Sequence, residues 1–379
     1  MNALSKYLSR AKYVSLLPSS PVNDYIAVLI PAHNEAGSIA STIEAQLNQT
    51  RVADKIVVIC DNCTDDTYEI ASQYPVVVVR TKDNKLKKPG ALNWAWKEYA
   101  QEASIVVCLD ADTVLSPNAI EDWAKEFQRD PLLAGSSSKF TMRGDEFLVC
   151  LQRAEFAKWT TTGLRRGWTS VLAGTGCAIR NTVLKEIAAR DDRDGPWLYS
   201  SAVEDFELTY RIREMGYLCH ISPSVRAYTD AMRTMPALWA QRMKWQVGTV
   251  EDLLAFGVNR LTLVDWFQQM MGLFAALLRI MWVALLIIAA TPYGTISHSV
   301  LWVLLPFIFI ASDTAQAFLI PHYSRKDILF AALLVPQELF AWMRAGWFTV
   351  AWWEVLVSKL TSRGRKDRWS LQYAAEGSS

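Results

Sequence analysis

Charge of one sign is what this sequence most clearly lacks. Lys and Arg total 39 and Asp and Glu total 38, which gives a formal net charge of +1. Domains that bind nucleic acid through its phosphates normally carry a marked basic excess. The near-zero balance therefore argues against nucleic acid as a partner, and charge alone indicates no other partner.

Cysteine is scarce and scattered. Among the six cysteines, Cys60 and Cys63 form a CxxC arrangement. No second such pair or histidine pair follows at the spacing of a zinc site, so we expect no metal or redox role for them. Other cysteines lie in apolar runs, where they act as small hydrophobes, and the pattern fits a reducing cytoplasm. Residues 1–21 also have no continuous apolar core, so we expect no secretory signal.

Glycine is missing from residues 31–35 (PAHNE), directly after the first predicted strand. A Rossmann dehydrogenase needs a G-x-G-x-x-G run at this place, because glycines let the backbone approach the pyrophosphate. The sequence therefore excludes this class of enzyme.

Short apolar runs alternate with helical patterns from Tyr25 onward. The runs are residues 26–31, 55–60, 76–80 and 104–109, and the helical patterns are residues 36–47, 64–73 and 90–101. Near-continuous apolar strands are typical of a sheet buried on both faces. The alternation predicts βαβ crossovers and a parallel sheet that binds ligands at the carboxyl ends of its strands.

Polar and acidic residues follow three of these strands, at residues 31–35, 61–66 and 110–112. Lys85, Lys87 and Lys88 precede a predicted helix, where both charge and dipole favour a phosphate. Asp110 and Asp112 offer hard oxygen ligands for a divalent cation that carries a diphosphate. In isolation a capped turn or a solvated loop explains each feature better, so the argument depends on their order.

The runs PAHNE, CDNCTDDT, KKPGALN and LDADT, in this order, resemble the nucleotide-sugar-binding half of a family 2 inverting glycosyltransferase. The resemblance implies an α/β GT-A fold with a mixed, mainly parallel sheet, a UDP-sugar donor, and Mg²⁺ or Mn²⁺ as cofactor. It implies a uridine pocket, a diphosphate contact, and a pair of carboxylates for the ribose and the cation. The residues in these roles are Pro31, Glu35 and Asp61 for the pocket, Lys88 for the diphosphate, and Asp110 and Asp112 for the metal site, with Asp110 favoured for the ribose or sugar.

Two later segments extend the resemblance. Gly174, Thr175 and Gly176 correspond to a loop that borders the acceptor sugar in the family, although a tight turn is an equally plain reading. Glu204 and Asp205 resemble the family's Thr-Glu-Asp motif with Val in place of Thr. The resemblance implies that Asp205 is the general base that deprotonates the acceptor hydroxyl, so the anomeric configuration inverts.

Residues 241–245 (QRMKW) lie in a helical pattern over residues 236–256. They resemble the Gln-x-x-Arg-Trp motif of processive family members, which implies that Gln241, Arg242, Lys244 and Trp245 contact the donor and that Trp245 also stacks on the acceptor. Lys244 stands where the family has Arg. Lysine keeps the charge but loses the bidentate fork, which puts processivity in doubt.

Long apolar runs follow at residues 266–291 and 300–320, each long enough to cross a bilayer at ~20 residues per span. Each carries one charged group, and because an unpaired charge in a membrane is costly we predict an ion pair between Arg279 and Asp313. Residues 328–357 are apolar but interrupted by charges. Basic residues on both sides favour a re-entrant or interfacial helix, with a third span as the alternative.

The basic tail either contacts anionic lipid or, by resemblance, folds over the nucleotide as a gate through Arg363 and Trp369. Residues after Leu371 look disordered.

The predicted organisation has five parts. They are residues 1–24, an amphipathic arm; 25–235, a cytosolic GT-A domain; 236–262, interfacial helices; 263–357, a membrane hairpin with the re-entrant or interfacial helix; and 358–379, the tail.

The sequence thus predicts an integral membrane glycosyltransferase that transfers a sugar from a UDP-sugar to a saccharide or lipid acceptor. By resemblance it is similar to synthases of β-linked poly-N-acetylglucosamine, chitin and hyaluronan. Two spans cannot enclose a polymer channel. A homo-oligomer, a partner chain or a single-sugar transfer to a lipid or protein acceptor therefore stays open, as does a non-catalytic sugar-nucleotide-binding membrane protein.

Overall fold

The computed structural model describes residues 25–190, 193–289, 300–320, 323–361 and 366–376. These residues form two compact units. The first contains the residues up to Phe140, Gly163–Tyr199 and Glu204–Thr229, and the second contains Thr141–Thr162, Ser200–Val203 and the residues from Asp230 onward. The predicted N-terminal arm, the turn between the two apolar runs and Arg363 lie outside the described residues.

An eight-stranded sheet, counted over the described residues, organises the first unit. Its strands are β1 (Ile26–Ala32), β2 (Lys55–Cys60), β3 (Val77–Arg80), β4 (Ile105–Cys108), β5 (Val114–Leu115), β6 (Leu133–Met142), β7 (Cys177–Arg180) and β8 (Leu218–Thr229). Their order is β3-β2-β1-β4-β7-β6-β8-β5. The strands β3, β2, β1 and β4 are parallel, whereas β7 runs antiparallel to β4 and β6, and β5 runs antiparallel to β8. The prediction of a mixed sheet is confirmed.

Helices connect these strands and follow them. They are α1 (Ile39–Leu47), α2 (Thr67–Ala71), α3 (Lys87–Tyr99), α4 (Ala119–Arg129), α5 (Phe147–Arg166), α6 (Asn181–Ala188) and α7 (Glu204–Glu214). The central strand β1 shows why the sheet is buried. Its side chains alternate between two cores, with Val28 and Ile30 in one and Ala27 and Leu29 in the other. Because successive strand residues point to opposite faces, both faces are apolar and covered by helices.

The second unit is helical. Besides most of α5 it contains α8 (Met235–Phe256), α9 (Leu263–Ala289), α10 (Val300–Ala317), α11 (Arg325–Ala332), α12 (Leu334–Thr361) and α13 (Arg368–Glu376). Apolar side chains of α8, among them Leu238 and Val247, share a core with Phe340 and Trp347 of α12. The helix α13 packs on α8, which corrects the expectation of disorder after Leu371.

One described helix, over Leu263–Leu285, is long and apolar enough to cross a membrane, with a mean hydropathy of 1.4. The helices α11 and α12 meet at an 80° bend and together match a broken span or a re-entrant loop. The predicted Arg279 to Asp313 ion pair is wrong. Arg279 lies 3.6 Å from Glu338, Nε to Oε2, because α9 packs on α12.

Candidate active site at the carboxyl edge of the sheet

The parallel strands deliver the predicted polar residues to one edge of the sheet. Asp61 follows β2 and Asp110 comes two residues after β4, while Pro31 lies near the end of β1. Since β1 pairs with β2 on one side and β4 on the other, the chain reverses its winding direction at β1. Ligands in such sheets bind outside the carboxyl ends at the point of reversal.

Asp61 is buried and held in place by neighbouring loops. Its Oδ1 accepts hydrogen bonds from Thr81 Oγ1 at 2.7 Å and from Asn84 Nδ2 at 2.8 Å. Burial raises the pKa of the Asp61 carboxyl above its ordinary value, and the hydrogen bonds from Thr81 and Asn84 partly oppose this shift. The Nδ1 of His33 lies 2.6 Å from the Asp61 carbonyl oxygen, which ties the loop after β1 to the loop after β2.

Glu35 belongs to the same loop region. Its backbone N–H donates to Thr67 Oγ1 at 2.7 Å, and its Oε2 accepts from Ser38 Oγ at 2.6 Å. Asp65 accepts from the backbone N–H of Ala36 at 3.0 Å. These bonds fix the backbone around the motif PAHNE.

Asn84 connects Asp61 to the cationic loop, a role that no motif in the sequence indicates. Besides Asp61, its Nδ2 donates to the Lys87 carbonyl at 2.8 Å, and its Oδ1 accepts from the Leu86 N–H at 3.0 Å. Lys87 adopts a φ of 55° and starts α3. Asn84 therefore shapes the turn that places Lys88 in the first turn of this helix.

Lys88 lies among carboxylates. Its Nζ pairs with Asp110 and lies 3.7 Å from Glu204 Oε1. Burial disfavours the ammonium, but the carboxylates of Asp110 and Glu204 outweigh it and raise the pKa of Lys88 above its ordinary value. The side chain thus remains a cation at neutral pH, beside the end of β4.

Gly174 and Asp205 lie next to this cation. The Gly174 N–H donates to Asp205 Oδ2 at 3.4 Å. A Cβ at Gly174 would lie 2.6 Å from Lys88 Nζ, so any side chain here would displace the ammonium. Gly176 accepts from the Ser138 N–H at 2.9 Å, and the Thr175 hydroxyl is buried without a hydrogen bond within the described part of the chain.

Asp112 points to a different neighbour. Both of its carboxylate oxygens lie 3.2 Å from the hydroxyl of Thr229 at the end of β8, and Oδ1 also accepts from Thr113 Oγ1 at 3.0 Å. No group of three or more His, Cys, Asp or Glu side chains capable of holding a metal occurs among the described residues. Mg²⁺ needs only one or two protein carboxylates when a substrate diphosphate supplies further oxygens, so Asp110 and Asp112 fit such a cation.

A small cavity lies behind Lys88. Apolar residues such as Leu92, Leu172 and Trp197 line it together with Glu204 and Asp205. The acidic pair is therefore set against apolar walls, in surroundings where charges interact more strongly than in water.

The residues of the QRMKW motif lie in the second unit, on α8. Arg242 is buried, pairs with Glu155 at 3.0 Å and stacks its guanidinium 4.4 Å from the Trp245 ring centre, and its Nη1 donates to the Oε1 of Gln241 at 2.5 Å. Lys244 is also buried, with its Nζ 3.2 Å from the ring centre of Trp369 on α13.

Comparison with known proteins supplies the family. A family model described as glycosyltransferase like family 2 matches residues 23–248. The chain is 24% identical over 340 residues to the poly-β-1,6-N-acetyl-D-glucosamine synthase of Staphylococcus epidermidis, covering 84% of this chain and 80% of that protein. It is 26% identical over 253 residues to the probable glycosyltransferase YdaM of Bacillus subtilis, covering 61% of this chain and 56% of that protein.

A solved structure shares the fold. The mannosyltransferase PcManGT from Pyrobaculum calidifontis, in complex with GDP-Man and Mn²⁺, superposes with a TM-score of 0.57 at 19% identity and covers 93% of this chain and 94% of that chain. The GT-A fold expected from the sequence is thereby confirmed. Because the family model matches more than half of the chain, this protein belongs to the family 2 glycosyltransferases.

Proposed function

We propose that this protein transfers a sugar from a UDP-sugar to a hydroxyl group of a saccharide or lipid acceptor, with inversion at the anomeric carbon. The observation that carries the proposal is the position of Lys88 against Asp110 and Glu204, beside the Gly174 N–H that binds Asp205. A cation for the diphosphate and a carboxylate base for the acceptor thus belong to one cluster.

The chemistry follows from these positions. Asp61 and the loop of residues 31–35 bind the base of the nucleotide, and Lys88 neutralises the diphosphate as it departs. Asp205 takes the proton of the acceptor hydroxyl while the oxygen of that hydroxyl attacks the anomeric carbon. The bond between the anomeric carbon and the diphosphate breaks, and UDP leaves. No covalent enzyme intermediate forms, so one displacement inverts the configuration.

A divalent cation at Asp110 and Asp112 would supply Lewis-acid stabilisation of the leaving diphosphate when bound. The donor set supports this assignment, because two carboxylates at a strand end match what Mg²⁺ or Mn²⁺ takes from a protein when phosphate oxygens complete the shell.

The acceptor side rests on the loop of Gly174, Thr175 and Gly176. The buried Thr175 hydroxyl has no hydrogen bond among the described residues, and a buried polar group without a partner costs stability. A hydroxyl of the acceptor sugar would satisfy it.

A bilayer is the proposed setting, with the catalytic unit in the cytoplasm. Large apolar side chains of α9 are exposed, including Phe267 at 64% and Ile287 at 64%. A contiguous apolar surface of this kind on one helix is typical of contact with lipid. We expect the protein to stay in the membrane pellet at alkaline pH and to need detergent for extraction; release by alkaline carbonate would contradict the membrane proposal.

Single-sugar transfer is the second candidate. Lys244 replaces the arginine of the processive motif and stacks on Trp369 instead of presenting a fork to a diphosphate. Such an enzyme would release a product one sugar longer than its acceptor, whereas a synthase would release a ladder of lengths.

A donor panel tests the proposal. Detergent-purified protein is incubated with Mn²⁺ and with UDP-N-acetylglucosamine, UDP-glucose or GDP-mannose, and the released nucleoside diphosphate is measured. We expect release from a UDP-sugar, with product length read by mass spectrometry and anomeric configuration by NMR. Release from GDP-mannose alone would overturn the assignment of UDP.

A further inference from the structure

The segment Ser200–Val203 directly precedes the acidic pair Glu204 and Asp205 at the start of α7. It belongs to the helical unit, and its residues Ser201 and Val203 are buried. Val203 is bonded covalently to Glu204. The contacts that hold the segment Ser200–Val203 therefore also fix the position of the first turn of α7.

One hydroxyl holds the segment by two hydrogen bonds. Ser201 Oγ donates to Asp252 Oδ2 of α8 at 2.7 Å and accepts from the Val203 N–H at 3.1 Å. Asp252 is also buried, at 9% exposed. A buried acceptor that loses its donor costs free energy, so the hydrogen bond from Ser201 to Asp252 resists breaking.

A glycine of α8 lets the same segment approach the helix closely. A Cβ at Gly248 would lie 3.0 Å from Val203 Cγ2 and 3.2 Å from the Cβ of Ala202. Gly248 and Asp252 are four residues apart and therefore share one face of α8. Lys244 lies one turn earlier on that face, within the QRMKW motif.

We propose that Ser201, Gly248 and Asp252 form an anchor that positions the general base. The helix that carries the QRMKW motif thereby fixes the backbone that leads into Asp205. These three are positioning residues, because they act through the segment Ser200–Val203 and not on the substrate. The inference rests on the proposed role of Asp205.

The test combines two kinds of variant. Ser201→Ala removes both hydrogen bonds, and Gly248→Ala adds a methyl group where Val203 packs. We expect kcat for transfer to fall about 10- to 100-fold in each, because a small misplacement of a catalytic group is costly, while the Kd for UDP stays unchanged. Amide hydrogen exchange in residues 200–208 should rise.

Matched controls separate positioning from stability. Ser136→Ala removes a buried serine hydroxyl that donates to Glu126 at 2.6 Å, and Gly346→Ala, in α12, adds a Cβ 3.2 Å from the Trp239 ring of α8. Both control variants should transfer sugar with the kcat of the wild type. Alanine has a higher helix propensity than glycine, so Gly248→Ala should not unravel α8. Asp252→Asn keeps an oxygen acceptor and should retain kcat, whereas Asp252→Leu should lose it.

Two results would decide against the anchor or against its premise. Wild-type kcat in Ser201→Ala and Gly248→Ala, in a protein that Asp205→Asn inactivates, would overturn the anchor alone. Full activity of Asp205→Asn would instead remove the base on which the anchor depends.

Discussion

Lys88 is the cation around which the candidate site is arranged, held by Asp110 and Glu204. We expect Lys88→Met to weaken UDP binding about 10- to 100-fold, because a charge-assisted hydrogen bond contributes about 1.5–3 kcal/mol. Uridine, which has no diphosphate, should bind both proteins equally. Calorimetric titration of both ligands measures the difference.

Lys97 provides the control for this variant. It lies on the same helix and pairs with Asp194, but both side chains are largely exposed. Lys97→Met should leave UDP binding as it is. Equal weakening by the two variants would mean that Lys88 acts only through the general charge of the unit.

Asp61 predicts a pH dependence. Burial raises the pKa of its carboxyl, with His33 and Lys87 nearby to oppose the shift. The folded state binds this proton more tightly than the unfolded state, so the contribution of Asp61 to stability falls as pH rises through its unfolded and then its folded pKa. Nucleotide affinity, which uses the ionised form, should follow the opposite course and weaken as pH falls through the raised pKa.

Asp61→Asn separates these two effects. The amide oxygen still accepts from Thr81 and Asn84, so we expect a higher melting temperature at neutral pH together with weaker UDP binding. The pH dependence of that binding should be smaller than in the wild type, because the Asp61 carboxyl no longer contributes to it. A lower melting temperature at neutral pH would show that the buried charge does not oppose folding.

The charged residues of the site were predictable, and several of their partners were not. Lys88, Asp110 and Asp205 lie in motifs whose order along the chain indicates the family. Asn84, Thr81 and Thr229 have ordinary polar side chains whose roles depend on tertiary contacts, such as the approach of Thr229 to Asp112 across 117 positions. No periodicity in the sequence encodes such a contact.

Among the elements, α13 is held to α8 through Trp369 and Lys244. A cation–π contact contributes about 0.5–2 kcal/mol. We expect Trp369→Ala to loosen α13, seen as faster amide hydrogen exchange in residues 366–376, and Trp94→Ala, which changes a tryptophan of the first unit, to leave that exchange unchanged. Identical exchange in Trp369→Ala and the wild type would show that other contacts hold the helix.

The parallel strands were easier to predict than the antiparallel ones. The run IAVLIP predicts β1 because every residue is apolar, whereas β6 contains Ser136, Ser137 and Ser138 and carries no apolar pattern. Likewise, α13 has only nine residues, too few for a stable isolated helix, and owes its order to packing on α8. The pairing of Arg279 with Glu338 depends on the packing of α9 against α12. A hydropathy pattern does not specify which helices pack together.

Along the chain as a whole, a GT-A unit and a helical unit are interleaved, since Ser200–Val203 belongs to the helical unit although the residues on both sides belong to the GT-A unit. The sequence predicted a glycosyltransferase part followed by an apolar helical part. It did not predict this interleaving, because local packing, and not composition, determines to which unit a short segment belongs.

Asp205 is the proposed general base, so its conversion to an amide should stop sugar transfer without changing nucleotide binding. The wild type, Asp205→Asn and the control Asp194→Asn, which alters an exposed carboxylate, are compared for UDP binding and for sugar transfer with Mn²⁺. We predict that Asp205→Asn binds UDP as the wild type does but loses transfer by about 10²- to 10⁴-fold, the usual contribution of a general base. Transfer at the wild-type rate in Asp205→Asn would show that Asp205 is not the general base.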